Sequence, residues 1–206
     1  MGFWTERVVP HLADRSLSIP EVSRLREVAA SGLRGRVLEI GFGSGLNVAY
    51  YPAEVRQVDA VEPSDVAWEI SARRRARSAV PIERTGLDGQ RLAAADGQYD
   101  AVLSTFTLCT IPDVERALRE VRRVLRADGV FHFLEHGLAP DRRVARWQHR
   151  LNPWQRRLAG GCHLDRDIPR LVGSHLQVDS VDAAHLAGPA VIRPWTHGFV
   201  GTARRT

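Results

Sequence analysis

The chain has 206 residues, 44% of them hydrophobic, enough for one domain with a substantial core and too few for two full-sized ones. All its basic residues are arginine and the formal net charge is +5, but no zinc-knuckle, basic-zipper or RNA-recognition signature accompanies them, so no nucleic-acid partner is expected. Cys109 and Cys162 make no disulfide framework, and no apolar run approaches the roughly 20 residues a bilayer needs, so a soluble, cytoplasmic protein is expected.

Phe3, Trp4, Val8, Val9 and Leu12 fall near helical spacing and predict a short amphipathic helix ending around residues 11–14. Pro20 opens a second helix to about Ala30, with Val22, Leu25 and Val28 on one face. Residues 1–31 are thus read as a helical cap on a single domain, 1–206. A strand over 36–40 runs into a glycine turn, and a helix over 44–50 follows, stopped by Pro52. The second strand is Val55–Val61, after which Glu62-Pro63-Ser64-Asp65 opens a helix over 65–77. A short strand over 80–84 and a fourth strand, Tyr99–Thr105, come next. Pro112 and Asp113 start a helix whose apolar positions Val114, Ala117, Leu118, Val121 and Leu125 keep a helical period, with Asp128-Gly129 as its end. Strand five covers 130–134 and leads into Glu135-His136-Gly137.

This alternation predicts a parallel sheet covered on both faces, with ligands bound beyond the carboxyl ends of its strands. Between 141 and 161 the pattern changes. Val144, Trp147, Leu151, Trp154 and Leu158 recur every few residues among Arg142, Arg143, Arg146, Arg150, Arg156 and Arg157: a basic amphipathic helix, bent or broken at Pro153. Its first reading is a lid, inserted over 139–164 above the substrate cleft; peripheral contact with an anionic membrane and a dimer interface are the alternatives. A short helix after Asp165 and strands near 176–181 and 198–203 would close a seven-stranded sheet with an antiparallel hairpin.

Gly41, Gly43 and Gly45 let backbone N–H groups approach a ligand closely, since no Cβ stands in the way. The dinucleotide fingerprint is G-x-G-x-x-G; here the spacing is G-x-G-x-G, then Leu46, with Glu39 two places before the first glycine, which disfavours a nicotinamide or flavin site. Glu62 lies about 20 residues after Gly41, the interval of a ribose-binding acid. Trp68 is read as core. Cys109 is read as lining a pocket above strand four, and no dense His and Cys cluster suggests a metal. Phe106-Thr107-Leu108-Cys109 offers no clamp for a flipped base.

The glycine turn, together with Thr107-Leu108-Cys109-Thr110, the run Arg119 to Leu125, Glu135-His136-Gly137 and Gly161-Cys162-His163-Leu164, resembles the class I S-adenosylmethionine-dependent methyltransferases of the type 11 group. The runs look like those of small bacterial members and of the related animal alkyl-thiol methyltransferases, with Ala127-Asp128-Gly129 standing where the usual turn is Pro-Gly-Gly. The resemblance implies a Rossmann-like α/β fold with a seven-stranded, mostly parallel sheet. It implies S-adenosylmethionine held by Glu39, Gly41, Gly43, Gly45, Glu62, Asp88, Gly89 and Thr105, with Asp88 and Gly89 at the adenine. The reaction implied is displacement at the sulfonium methyl, with His136 and His163 as proton handlers. A small, largely apolar thiol is the first acceptor; a lipid or quinone-like oxygen or nitrogen acceptor is the alternative. An NAD-dependent oxidoreductase and a non-catalytic cofactor-binding protein are the competing classes.

Overall fold

The computed structural model describes residues 3–185 and 192–205. The seven strands are β1 (Gly35–Ile40), β2 (Val55–Val61), β3 (Ile82–Gly86), β4 (Tyr99–Thr105), β5 (Leu125–His136), β6 (Gln177–His185) and β7 (His197–Arg204). They lie in the order β3-β2-β1-β4-β5-β7-β6. All pairs are parallel except those of β7, which runs antiparallel to both β5 and β6. The chain leaves β1 toward β2 on one side and returns to β4 on the other, so a crevice opens beyond the carboxyl ends of β1 and β4.

Alternation along the strands divides the core. Leu38, Ile40, Val102, Phe131 and Phe133 pack on one face with Leu118, Val121 and Ile168, while Val37, Val58, Ala101, Leu103 and Leu134 pack on the other with Ala29 and Leu33. The helices are α1 (Val9–Ser16), α2 (Pro20–Ala30), α3 (Asp65–Ile70), α4 (Ala72–Arg75), α5 (Val114–Val124), α6 (Arg142–Leu158), α7 (Ile168–Gly173) and α8 (Arg193–Thr196). Asp113 and Asp141 cap α5 and α6, accepting from the Arg116 and Arg143 N–H groups at 2.9 and 2.7 Å.

Several expected boundaries move. Gly41, Gly43 and Gly45 all have positive φ, so no helix forms over 44–50; only a 3-10 turn, Val48–Tyr50, follows the loop. The helix expected over 65–77 divides at Ser71, and the third strand starts at Ile82 instead of 80. Helix α5 ends at Val124 because Leu125 is already extended, and Asp128-Gly129 belongs to β5, not to a helix end. Val28 is 56% exposed; the buried face of α2 is Val22, Arg26, Ala29 and Ala30. Helix α6 continues through Pro153.

Candidate active site

The three glycines serve different neighbours. A Cβ on Gly41 would stand 2.0 Å from Thr107 Oγ1, and one on Gly45 would press on Ser71 and Phe42 at 3.1–3.3 Å, so these two let other segments pack against the loop. Gly43 is different: the nearest atom to its Cβ position is Gly41 O at 3.9 Å, an ordinary contact distance. Beside it, the Glu62 carboxylate accepts the Gly43 and Ser64 N–H groups, each at 2.7 Å. Burial raises the Glu62 pKa, and those two bonds oppose the rise. Gly89 is buried, with its Cβ position 2.7 Å from Ile40 Cγ2, so its loop packs on the last residue of β1. Asp88, just before it, is exposed and accepts from the Gln90 N–H and side-chain amide at 2.8 and 2.9 Å.

Beneath the loop lies a buried polar cluster that the sequence reading found only in part. Glu39 is 1% exposed and accepts from Asn47 Nδ2 at 2.9 Å and from the Tyr51 hydroxyl. Thr105 Oγ1 accepts from Asn47 Nδ2 and from Arg26 Nη1, each at 2.9 Å. Arg26 Nη1 also donates to Asn47 Oδ1 at 2.8 Å. Burial drives the Glu39 pKa to about 7 against the Tyr51 and Asn47 hydrogen bonds and the Arg26 charge. It lowers Arg26 to about 10 against the pull of Glu39. Arg26, Asn47 and Tyr51 were not singled out in the sequence. A charge on the buried face of α2 was the available signal for the first.

The far wall is built around Glu135, which is fully buried at the end of β5. Its carboxylate accepts from Ser104 Oγ at 2.7 Å and from the Thr107 N–H at 2.9–3.0 Å, fixing the turn after β4. In that turn Phe106 has φ 53°, a backbone conformation that residues other than glycine rarely adopt, with the Arg26 guanidinium 5.3 Å from its ring centroid. Leu25, Phe106, Leu134, His136, Trp195 and Gly198 line a small cleft here. His136 Nε2 lies 3.2 Å from Pro194 O, while Nδ1 is buried with no hydrogen bond of ordinary length. Burial lowers the His136 pKa, and the same cause, with Arg166 and Arg156 adding to it, lowers that of His163.

His163 sits on the next wall, its N–H donating to Cys109 O at 2.8 Å. That bond brings the Cys162 segment onto the β4 turn, where both cysteines are free thiols and Cys109 is buried. Trp68 is not core: it is half-buried, 5.4 Å from the Phe42 ring, with the Arg75 guanidinium 3.7 Å from its centroid. Arg74 joins the glycine loop to α1, donating to Ser44 O at 2.9 Å and pairing with Asp14 at 2.8 Å. Another indentation, lined by Arg75, Ser78, Val80 and Pro81, lies at the start of β3, away from the strand ends that carry these residues. Among the described residues no group of His, Cys, Asp and Glu is placed to hold a metal.

A family described as "Methyltransferase domain" matches residues 38–133, the stretch from β1 into β5. Human thiol S-methyltransferase TMT1A is 30% identical over 186 residues, 86% of this chain and 75% of the human protein. The chain belongs to the class I S-adenosylmethionine-dependent methyltransferases. This methyltransferase is also 30% identical to a phosphatidylethanolamine N-methyltransferase of Cereibacter sphaeroides over 163 residues, 74% of this chain and 75% of that one. Its fold is shared with a methyltransferase of Thermotoga maritima at a TM-score of 0.68 and 21% identity, each chain covered in full. The family membership sets aside an NAD-dependent oxidoreductase and a non-catalytic binding protein, and its cofactor is S-adenosylmethionine.

Proposed function

We propose that this methyltransferase transfers the methyl group of S-adenosylmethionine to the thiol of a small, largely apolar acceptor. The observation that carries the reading is the small cleft beside the β4 turn: its walls are Leu25, Phe106, Leu134 and Trp195 with the imidazoles of His136 and His197, and burial lowers the His136 pKa, which favours its neutral form. Identity to the human thiol S-methyltransferase across most of the chain supports the choice of sulfur.

The residues fit the cofactor in kind. Gly43 leaves room for close approach, and the Glu62 carboxylate beside it suits ribose hydroxyls. Asp88 and Gly89 are assigned to the adenine end. Gly41 and Gly45 shape the loop, while Glu39 and Thr105 hold it from below through Asn47 and Arg26. When bound, the cofactor supplies an activated methyl on a sulfonium. The acceptor sulfur forms the new carbon–sulfur bond as the sulfonium–methyl bond breaks, giving a thioether and S-adenosylhomocysteine. A thiol needs little activation, with a free pKa near 8.5, so a neutral His136 taking its proton is sufficient chemistry. His163 borders the same turn and is assigned to shaping the acceptor side. Helix α6 and the N-terminal cap are read as closing this side, residues 1–2 of the cap lying outside the described residues; the Trp4 indole N–H donates to Leu158 O at 2.8 Å and joins the two.

Initial rates with a matched series of alkyl thiols, phenols, fatty acids and amines test the reading. Preferred turnover of thiols is expected. Turnover confined to oxygen or nitrogen acceptors would replace the thiol with the lipid or quinone-like alternative.

A further inference from the structure

Helix α6 uses one face to hold the fold and leaves another largely exposed. On the inner side Gln148 is buried, donating to Gly137 O and Pro194 O at 3.0 and 3.1 Å and accepting the Ala139 N–H at 2.8 Å. Asn152 accepts the Leu164 N–H at 3.0 Å, and Gln155 accepts from the Trp195 indole at 3.0 Å. These bonds fix the rotation of the helix about its axis.

On the outer side Trp147, Trp154 and Leu158 are 55%, 64% and 58% exposed. Their spacing, two turns and then one more at about 3.6 residues per turn, puts them in a single stripe along the helix. Arg143, Arg150 and Arg157 repeat at the same seven-residue interval and form a parallel row beside the stripe; all three are exposed. The Arg150 guanidinium lies 5.6 Å from the Trp147 ring centroid. The helix contains no acidic residue; Asp141 caps its start, and Asp165 lies 3.1 Å from His149. The stripe continues past the helix end. Trp4 is bound to Leu158 O, and Trp4 and the neighbouring Phe3 are 44% and 77% exposed.

Scattered exposed apolar side chains are ordinary, but an aromatic stripe bordered by a row of cations is the pattern of a helix lying in a membrane interface. Arginine stems can cover apolar surface while their heads reach phosphate. We propose that this face docks on an anionic phospholipid surface, with Trp147, Trp154, Leu158 and Trp4 entering the headgroup boundary and Arg143, Arg150 and Arg157 meeting lipid phosphates. Charge complementarity selects this occupant over a second copy of the chain. Stacking two such faces would set arginine rows against each other with no acid in the helix to offset them. Docking in this manner needs no spanning segment, and no helix among the described residues is long and apolar enough to cross a bilayer.

Vesicle co-sedimentation of the full chain tests the proposal, comparing phosphatidylcholine alone with phosphatidylcholine containing phosphatidylglycerol. Binding is expected to the anionic vesicles only, weakening as salt is raised. The variants Trp147→Ser/Trp154→Ser and Arg143→Gln/Arg150→Gln/Arg157→Gln should each lose about tenfold or more in vesicle affinity. Both should keep wild-type affinity for S-adenosylhomocysteine, which shows that they fold. Equal binding to neutral vesicles, no binding to either, or unchanged binding by the folded variants would overturn it. So would sedimentation equilibrium showing a dimer that the variants abolish while wild-type protein ignores vesicles.

Discussion

Glu62 Oε2 accepts the Gly43 N–H at 2.7 Å, so the acid at the end of β2 grips the middle glycine of the loop after β1. One carboxylate thereby sets the loop and is the group proposed to bind the ribose hydroxyls. Charged hydrogen bonds of this kind contribute about 1.5–3 kcal/mol each. Glu62→Ala is expected to weaken S-adenosylhomocysteine binding by about tenfold to a hundredfold in calorimetry. Unchanged affinity would remove Glu62 from the cofactor site.

The glycines separate by what surrounds them. Gly41→Ala places a methyl 2.0 Å from Thr107 Oγ1 at φ +73°, whereas Gly43→Ala meets only Gly41 O, at 3.9 Å, with φ +57°. Left-handed backbone costs a non-glycine residue about 1–2 kcal/mol, and both variants incur it. Only Gly41→Ala adds a collision. Urea unfolding should show Gly41→Ala as the less stable variant, and Gly43→Ala as the one whose loss falls mainly on cofactor affinity.

Arg26 and, above about pH 7 where it ionises, Glu39 are the buried cation and anion of the cluster under the loop, joined through Asn47. Removing one member of a buried pair costs about 3–5 kcal/mol because the other charge is left uncompensated. Arg26→Met should therefore be strongly destabilising alone, and less so in a Glu39→Gln background. Strict additivity in the double-mutant cycle would show that the two residues do not interact.

The same cluster gives the stability a pH dependence. Folding raises the Glu39 pKa from 4.5 to about 7, so between those values the unfolded chain releases a proton that the folded chain retains. Folded stability attributable to Glu39 is fully present below pH 4.5, falls as pH rises through this window, and levels off above 7. The slope is at most about 1.4 kcal/mol per pH unit. Relative to Glu39→Gln, the wild-type protein should lose stability over this range; parallel stability curves for the two proteins would contradict the assignment.

Burial holds His136 below the ordinary imidazole pKa, so its base form persists into mildly acidic solution. Methylation should fall off only on the acid side of that range, and His136→Gln should lower kcat by about a hundredfold or more while abolishing that limb. Loss of the limb in His163→Gln instead would move the base to the other wall.

Sequence patterning reached β2, β4 and α2 to the residue, because buried runs bounded by turn residues and Pro20 punctuate the chain strongly. It failed just after the glycines: three left-handed residues in five prevent a helix from starting until Val48, which hydropathy does not reveal. It also gave Glu135 no task. The buried carboxylate binds backbone N–H groups of residues 107 and 109, a tertiary pairing with no local periodicity. Arg26 was legible in principle, one turn from Val22 on the apolar face, but choosing Val28 for that face hid it.

Which atom receives the methyl group decides between thiol methylation and its alternatives. Incubating the full chain with S-adenosylmethionine carrying a deuterated methyl and an equimolar mixture of an alkyl thiol, a phenol, a fatty acid and an amine, then reading products by mass spectrometry, addresses this directly. The deuterated methyl should appear predominantly on sulfur, as a thioether formed in step with S-adenosylhomocysteine. Label confined to oxygen or nitrogen, with the thiol returned unmodified, would contradict the account.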